Sequence, residues 1–202
     1  MGRPKKEDSL AQQDVINAAL VCIDKEGEAA LGVNRVAREL GIKPPAIYKH
    51  VNGKAGLRKA VVLNIWNDYL QCCQGAVEGI ADTAALFHTG AQAARSYAQN
   101  YPGRYAVMMQ YQMRPTDSEE AVIIQRSLRF FQQALQLDGL SEAVLIDCMR
   151  MVNASIYGFL NREQMELMTL SRSSDASYEV MLDALLVAIA HIKKTAEENS
   201  TL

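Results

Sequence analysis

Residues 32–54 read GVNRVAREL-GIK-PPAIYKHV-NGK. Val33, Val36, Ala37 and Leu40 recur at helical spacing, which predicts a short amphipathic helix. Gly41 follows the last apolar residue, where a left-handed backbone ends a helix at no steric cost to glycine. Lys43 precedes a proline and is pushed out of the helical region. Pro44 and Pro45 suit a first helical turn, whose backbone donors have no intrahelical partner. Ile47 and Val51, four apart, anchor this second short helix to the first. Pro45, Ala46, Tyr48 and Lys49 are then expected to face outward. Two short helices joined by a glycine turn make a helix-turn-helix, whose second helix fits a DNA major groove. Tyr48 and Lys49 can donate to phosphates or base edges, and Ala46 can meet a thymine methyl.

Upstream, Ser9-x-x-Gln12 has the form of a capping box. A first helix is expected from there to Lys25, with Val15, Ala19, Cys22 and Ile23 as its stripe and Gly27 as its stop. Gly2-Arg3-Pro4-Lys5-Lys6 is a basic arm of the kind that lies in a minor groove or stays solvated. Downstream, a fourth helix is expected to start at Gly53 or Lys54 and run into the seventies. The rest reads as five more helices: 83–100, 104–113, 118–137, 141–168 and 175–198. Val122, Leu128, Phe131 and Leu135 are expected inward on the third of these, and Asp175 is expected to cap the last. About nine helices, with no long alternating Val/Ile/Thr run, predict an all-α protein. The organisation expected is an arm over 1–8, a three-helix helix-turn-helix domain over 9–55, and a helical ligand-binding and dimerisation domain over 56–202.

The stretch from Ser9 to Val62 resembles the DNA-binding domain of the TetR family of bacterial transcriptional regulators. Ala37-x-x-Leu40-Gly41-Ile42, Ile47-Tyr48-x-His50-Val51 and Lys54 carry the resemblance. It implies that Tyr48 and Lys54 contact phosphate and that Val33, Asn34, Pro44, Pro45 and Ala46 lie against the groove. With Lys43, Lys49 and His50, these form the candidate DNA-binding set. Gly32 stands where the family prefers a Thr or Ser cap, and Lys43 where it often has Ser. In the body, Tyr97-Ala98-x-x-Tyr101-Pro102-Gly103-Arg104-Tyr105 resembles the A-x-x-H-P-G-x-Y segment of WHG-type members. Tyr157 of Ile156-Tyr157-Gly158-Phe159 replaces their histidine.

Net charge over the 202 residues is −2, but it is unevenly spread. Residues 1–60 hold 11 Lys/Arg against 7 Asp/Glu, a net of +4, and residues 61–202 hold 10 against 16, a net of −6. A basic head on an acidic body is the asymmetry expected when only the head meets DNA. No phosphate-binding glycine loop, H-E-x-x-H or G-x-S-x-G is present, so no enzyme activity and no catalytic residue is expected. The cysteines, 22, 72, 73 and 148, form no C-x-x-C, and the histidines, 50, 88 and 191, lack partners at ligand spacing, so no metal or cofactor is expected. The amino end is polar and no run of about 18 apolar residues exists, so the expectation is a cytoplasmic protein without a membrane partner.

The reading is a sequence-specific regulator, a repressor released from a palindromic operator on double-stranded DNA by an unknown small-molecule inducer. It is expected to act as a homodimer through its last two helices, along Val144, Cys148, Met151, Val152, Ser155 and Phe159 on one and Tyr178, Met181, Leu182, Leu185, Ala188, Ile189 and Ile192 on the other. The methionines and tyrosines around 101–113 suit an adaptable apolar pocket or core packing. The alternatives are a helical ligand-binding or enzymatic protein with a vestigial head, and a nucleoid-type binder using the Arg3-Pro4 arm.

Overall fold

A computed structural model describes residues 10–200, except for the side chains of Glu197, Asn199 and Ser200. Ser9 and the basic arm lie outside the described residues. Among the described residues nine α-helices run α1 Gln12–Glu26, α2 Val33–Leu40, α3 Pro44–Ile47, α4 Gly53–Ala76, α5 Thr83–Asn100, α6 Pro102–Met109, α7 Ser118–Ala134, α8 Glu142–Gln164 and α9 Ser174–Ser200. A 3-10 turn, Glu28–Ala30, follows α1, and no strand occurs among the described residues. The described residues fall into two compact units, one within Met1–Tyr69 and Asn100–Ile123, the other within Leu70–Gln99 and Ile124–Leu202.

The first unit has a core of Val15, Ala19, Cys22 and Ile23 from α1, Val36 and Ala37 from α2, Ile47 and Val51, and Leu57, Val61 and Ile65 from α4. The expected α1 stripe is therefore the buried one. The cap differs: α1 starts at Gln12 behind Ala11, whose backbone N–H donates to the Asp14 carboxylate at 2.8 Å. Short α6 belongs to this unit and packs on α1. A Cβ on Gly103 would sit 2.8 Å from the Ile23 carbonyl oxygen, so only glycine permits this approach. Beside it the Arg104 guanidinium donates to both oxygens of Asp24 and stacks 4.6 Å over the Tyr101 ring. The Met/Tyr group divides: Tyr105 and Met108 are core, Tyr101 is 40% exposed, and Tyr111 donates to the fully buried Glu120. Arg114, donating to the same carboxylate, holds Glu120 below the usual carboxylate range.

In the second unit α5, α8 and α9 are tied by Arg95, itself 5% exposed. Its guanidinium donates to Glu163 on α8 at 2.5 and 2.9 Å, and to Asp175 on α9 at 2.7 Å. It lies 4.9 Å over the Tyr178 ring, and the Tyr178 hydroxyl donates to the Ala91 carbonyl. Asp175 is thus occupied with Arg95. The cap of α9 is instead the Ser173 hydroxyl, which accepts from the Ala176 N–H. His88 spans two α9 carboxylates, Glu179 at 2.7 Å and Asp183 at 3.0 Å, partners that its sequence neighbours do not reveal.

Several helix ends differ from expectation for one backbone reason. Helix α7 stops at Ala134 because Gln136 adopts a left-handed φ of 49° and Leu137 N–H returns to the Gln132 carbonyl. Helix α8 stops at Gln164 in the same way, with Glu166 at φ 55° and Leu167 N–H on Arg162. Both are glycine-type stops made without glycine. Val122, expected inward on α7, is 60% exposed, and its neighbour Ile123 is buried. Of the side chains assigned to a dimer seam, Cys148, Val152, Tyr178, Leu182, Leu185 and Ile189 are buried within the chain, while Val144, Met151, Ser155, Phe159, Met181, Ala188 and Ile192 are half-buried. The large apolar residues left exposed on α8 and α9 are Tyr157, Val180 and Val187, and Ala143, Ala154, Ala184 and Ala190 are exposed as well.

Candidate nucleic-acid interface

The helix-turn-helix is built by the devices its sequence carries. Gly41 takes a left-handed φ of 68°, and the Ile42 N–H returns to the Ala37 carbonyl, which turns the chain out of α2. Lys43 is extended at φ −83°, ψ 142°, and Pro44 opens α3. Gly32 and Lys43 cap without any side-chain hydrogen bond, as their identities dictate. Ile47 and Val51 are buried at 0% and 6% exposure and pin the short helix down. Asn52 then accepts from the Gly56 N–H, which starts α4.

Of the candidate set, Asn34, Lys43, Pro45, Tyr48, Lys49 and Lys54 are exposed, Tyr48 at 56%, while Pro44 and His50 are half-buried. Val33 and Ala46 are buried, at 8% and 7%. Ala46 therefore departs from the outward position that spacing gives it. In so short a helix, Ala46 and Ile47 both pack inward. Ala46→Leu should accordingly overpack the head, costing about 1–3 kcal/mol, before it changes any base preference. Thermal melting of the variant against its selected DNA consensus separates the two effects.

Helix α2 has two unlike flanks. Arg35 and Glu39 occupy one, where Arg35 meets Glu26 at 2.6 Å and Glu39 at 2.8 Å, and Lys25 meets Glu39 at 2.9 Å. Hydrogen bonding to Glu26 raises the Arg35 pKa, and hydrogen bonding from Lys25 lowers that of Glu39. Asn34 and Arg38 occupy the other flank, both exposed. Elsewhere, no group of three or more His, Cys, Asp or Glu side chains is arranged for a metal among the described residues. Cys22 and Cys148 are buried, and burial pushes both thiols up in pKa.

An exposed helix-turn-helix, formed by α2 and α3 in a chain with no strand among its described residues, defines a class of DNA-binding regulator fold. Residues 15–61 match the family model "Bacterial regulatory proteins, tetR family", and residues 87–185 match "Tetracyclin repressor-like, C-terminal domain". The chain belongs to the TetR family. It is 34% identical to an uncharacterised HTH-type transcriptional regulator of Mycobacterium tuberculosis over 59% of this chain and 53% of that one, so it spans about half the length of that relative. The fold is similar to solved structures: ActR from Streptomyces coelicolor without ligand (TM-score 0.70, 16% identity, covering 93% of this chain and 98% of that one). A TetR variant from Acinetobacter baumannii in complex with minocycline gives a TM-score of 0.69 at 19% identity, covering 92% and 99%. BioQ of Mycobacterium smegmatis gives 0.67 at 24%, covering 91% and 99%.

Proposed function

We propose that the chain is a sequence-specific DNA-binding transcriptional regulator, a repressor that holds a palindromic operator as a homodimer and releases it when a small molecule binds the body. The observation that carries this is the pinned helix-turn-helix with Tyr48, Lys49 and Lys54 exposed beside it. Asn34 and Pro45, exposed at the starts of the two short helices, are the side chains assigned to base edges and thymine methyls. Tyr48 and Lys54 are assigned to phosphates. They set register, and they carry little sequence information. The minocycline complex of a structural neighbour supports a small-molecule effector, which acts only by binding one of two dimer states more tightly than the other.

A second copy is the proposed cover for the outer faces of α8 and α9. Helix α8 is the one helix among the described residues long and apolar enough to cross a membrane, and only 17% of its most apolar window is buried by its own chain. This exposed surface of α8, with the exposed Val180 and Val187 of α9, supports an isologous four-helix contact, which presents two heads to a twofold site. Lys54→Ala should weaken binding alike on matched and mismatched DNA and flatten the log–log salt dependence by about one unit per protomer. Tyr48→Phe should weaken binding without changing that slope. Anisotropy titrations at several salt concentrations read both. Unchanged affinity and slope in Lys54→Ala would remove that lysine from the interface.

A further inference from the structure

We propose that Arg38 is a further phosphate-contacting residue of the helix-turn-helix, one that brings the flank of α2 onto the DNA backbone. The inference rests on the DNA-binding reading above. It follows from how the first unit disposes of its cations. Lys25 and Arg35 are engaged by Glu26 and Glu39, Arg58 by Glu28 at 2.7 Å, and Lys59 by Asp117 and Glu119 at 2.7 and 2.6 Å. Arg104 is engaged by Asp24, and Arg114 by Glu120. Each of these would have to leave a carboxylate before it met a phosphate. Arg38, Lys49 and Lys54 have no carboxylate partner among the described residues, and all three are exposed. They fall within seventeen residues of one another, on and around the helix-turn-helix. Lys49 and Lys54 are already assigned to DNA; Arg38 shares their condition.

Position on α2 selects Arg38 further. It lies one turn after Asn34, so the two share a flank. The opposite flank, Arg35 with Glu39, is closed by ion pairs to α1. The helix therefore shows DNA an uncompensated cation beside the side chain expected to read it. A guanidinium forks onto two phosphate oxygens and keeps its charge at any working pH. The competing explanation is local: Arg38 sits in the last turn of α2, where a cation complements the helix dipole. That role stabilises the head and leaves DNA affinity alone.

The test titrates the full chain with a short mixed-sequence duplex over a range of salt, using Arg38→Gln, Arg38→Lys and Lys54→Ala. Because the DNA is non-cognate, phosphate contacts dominate what is read. The proposal expects Arg38→Gln to bind several-fold more weakly at low salt and to lose about one unit of log–log slope per protomer, with an unchanged melting temperature. Arg38→Lys should keep the slope. If Arg38→Gln keeps wild-type affinity and slope while Lys54→Ala loses both, the proposal is overturned and the DNA-binding reading stands. A lowered melting temperature with an unchanged slope assigns Arg38 to the helix end and also overturns it. If neither Arg38→Gln nor Lys54→Ala changes binding, the helix-turn-helix is not the contact surface and both readings fall.

Discussion

Arg95→Ala is expected to cost about 3–5 kcal/mol, because it strands the Glu163 carboxylate without its cation while leaving it largely enclosed. The same change removes the hydrogen bonds to Ser174 and Asp175 and the cation over Tyr178, so the start of α9 loses its tie to α5 and α8. Denaturant midpoints at one fixed protein concentration measure the loss, since the stability of the proposed dimer would depend on that concentration. The pH dependence has a definite sign. Hydrogen bonding from Arg95 lowers the Glu163 pKa below its ordinary value of 4.5. Glu163 thus contributes its stability in full above that value and loses it as pH falls through the lower native one. The gap between wild type and variant should narrow in acid. A variant as stable as wild type at neutral pH would show that Arg95 holds nothing together.

Val180→Glu combined with Val187→Glu should give folded monomers whose operator affinity falls by about 10²–10⁴-fold, the loss expected when two heads no longer bind as one. Both residues are already exposed, at 55% and 72%, so the charges cost the protomer little. In a two-copy seam each glutamate would meet apolar surface and the glutamates of the other copy. The pair Leu185→Glu and Ile189→Glu, which helical spacing alone suggests for the same purpose, does something else. These residues are 6% and 3% exposed within the chain, and the charges would unfold the body. Sedimentation with circular dichroism separates the cases: a helical monomer is expected for the valine pair, and a persistent dimer would move the interface elsewhere.

The contrast between these two variant pairs shows where sequence stops being informative. A helical stripe names the apolar residues of α9, but it does not say which cover is their own chain and which is a partner. Tyr178, Leu182, Leu185 and Ile189 occupy one arc, Val180 and Val187 another, and only packing against α5 and α8 separates inside from outside. Ala46 fails in the same manner. Its spacing from Ile47 and Val51 points outward, but in a helix of only one turn both Ala46 and Ile47 are buried. The ends of α7 and α8 were not legible at Gln136 and Glu166, because neither residue favours the left-handed backbone that it adopts.

What the sequence determined by itself is local and short-range: the glycine that turns α2, the proline that opens α3, and the aliphatic pair that pins it. These residues act through backbone sterics and one-turn spacing, which need no knowledge of the rest of the chain. Tertiary structure alone decided the distant pairings. It joined Arg95 to Glu163 across 68 residues, laid Gly103 against Ile23, and set Lys59 between Asp117 and Glu119. It also gave Arg35, Arg58 and Lys59 their acidic partners. An ion pair depends on where two side chains meet in space, and chain order fixes that only within a turn or two of helix.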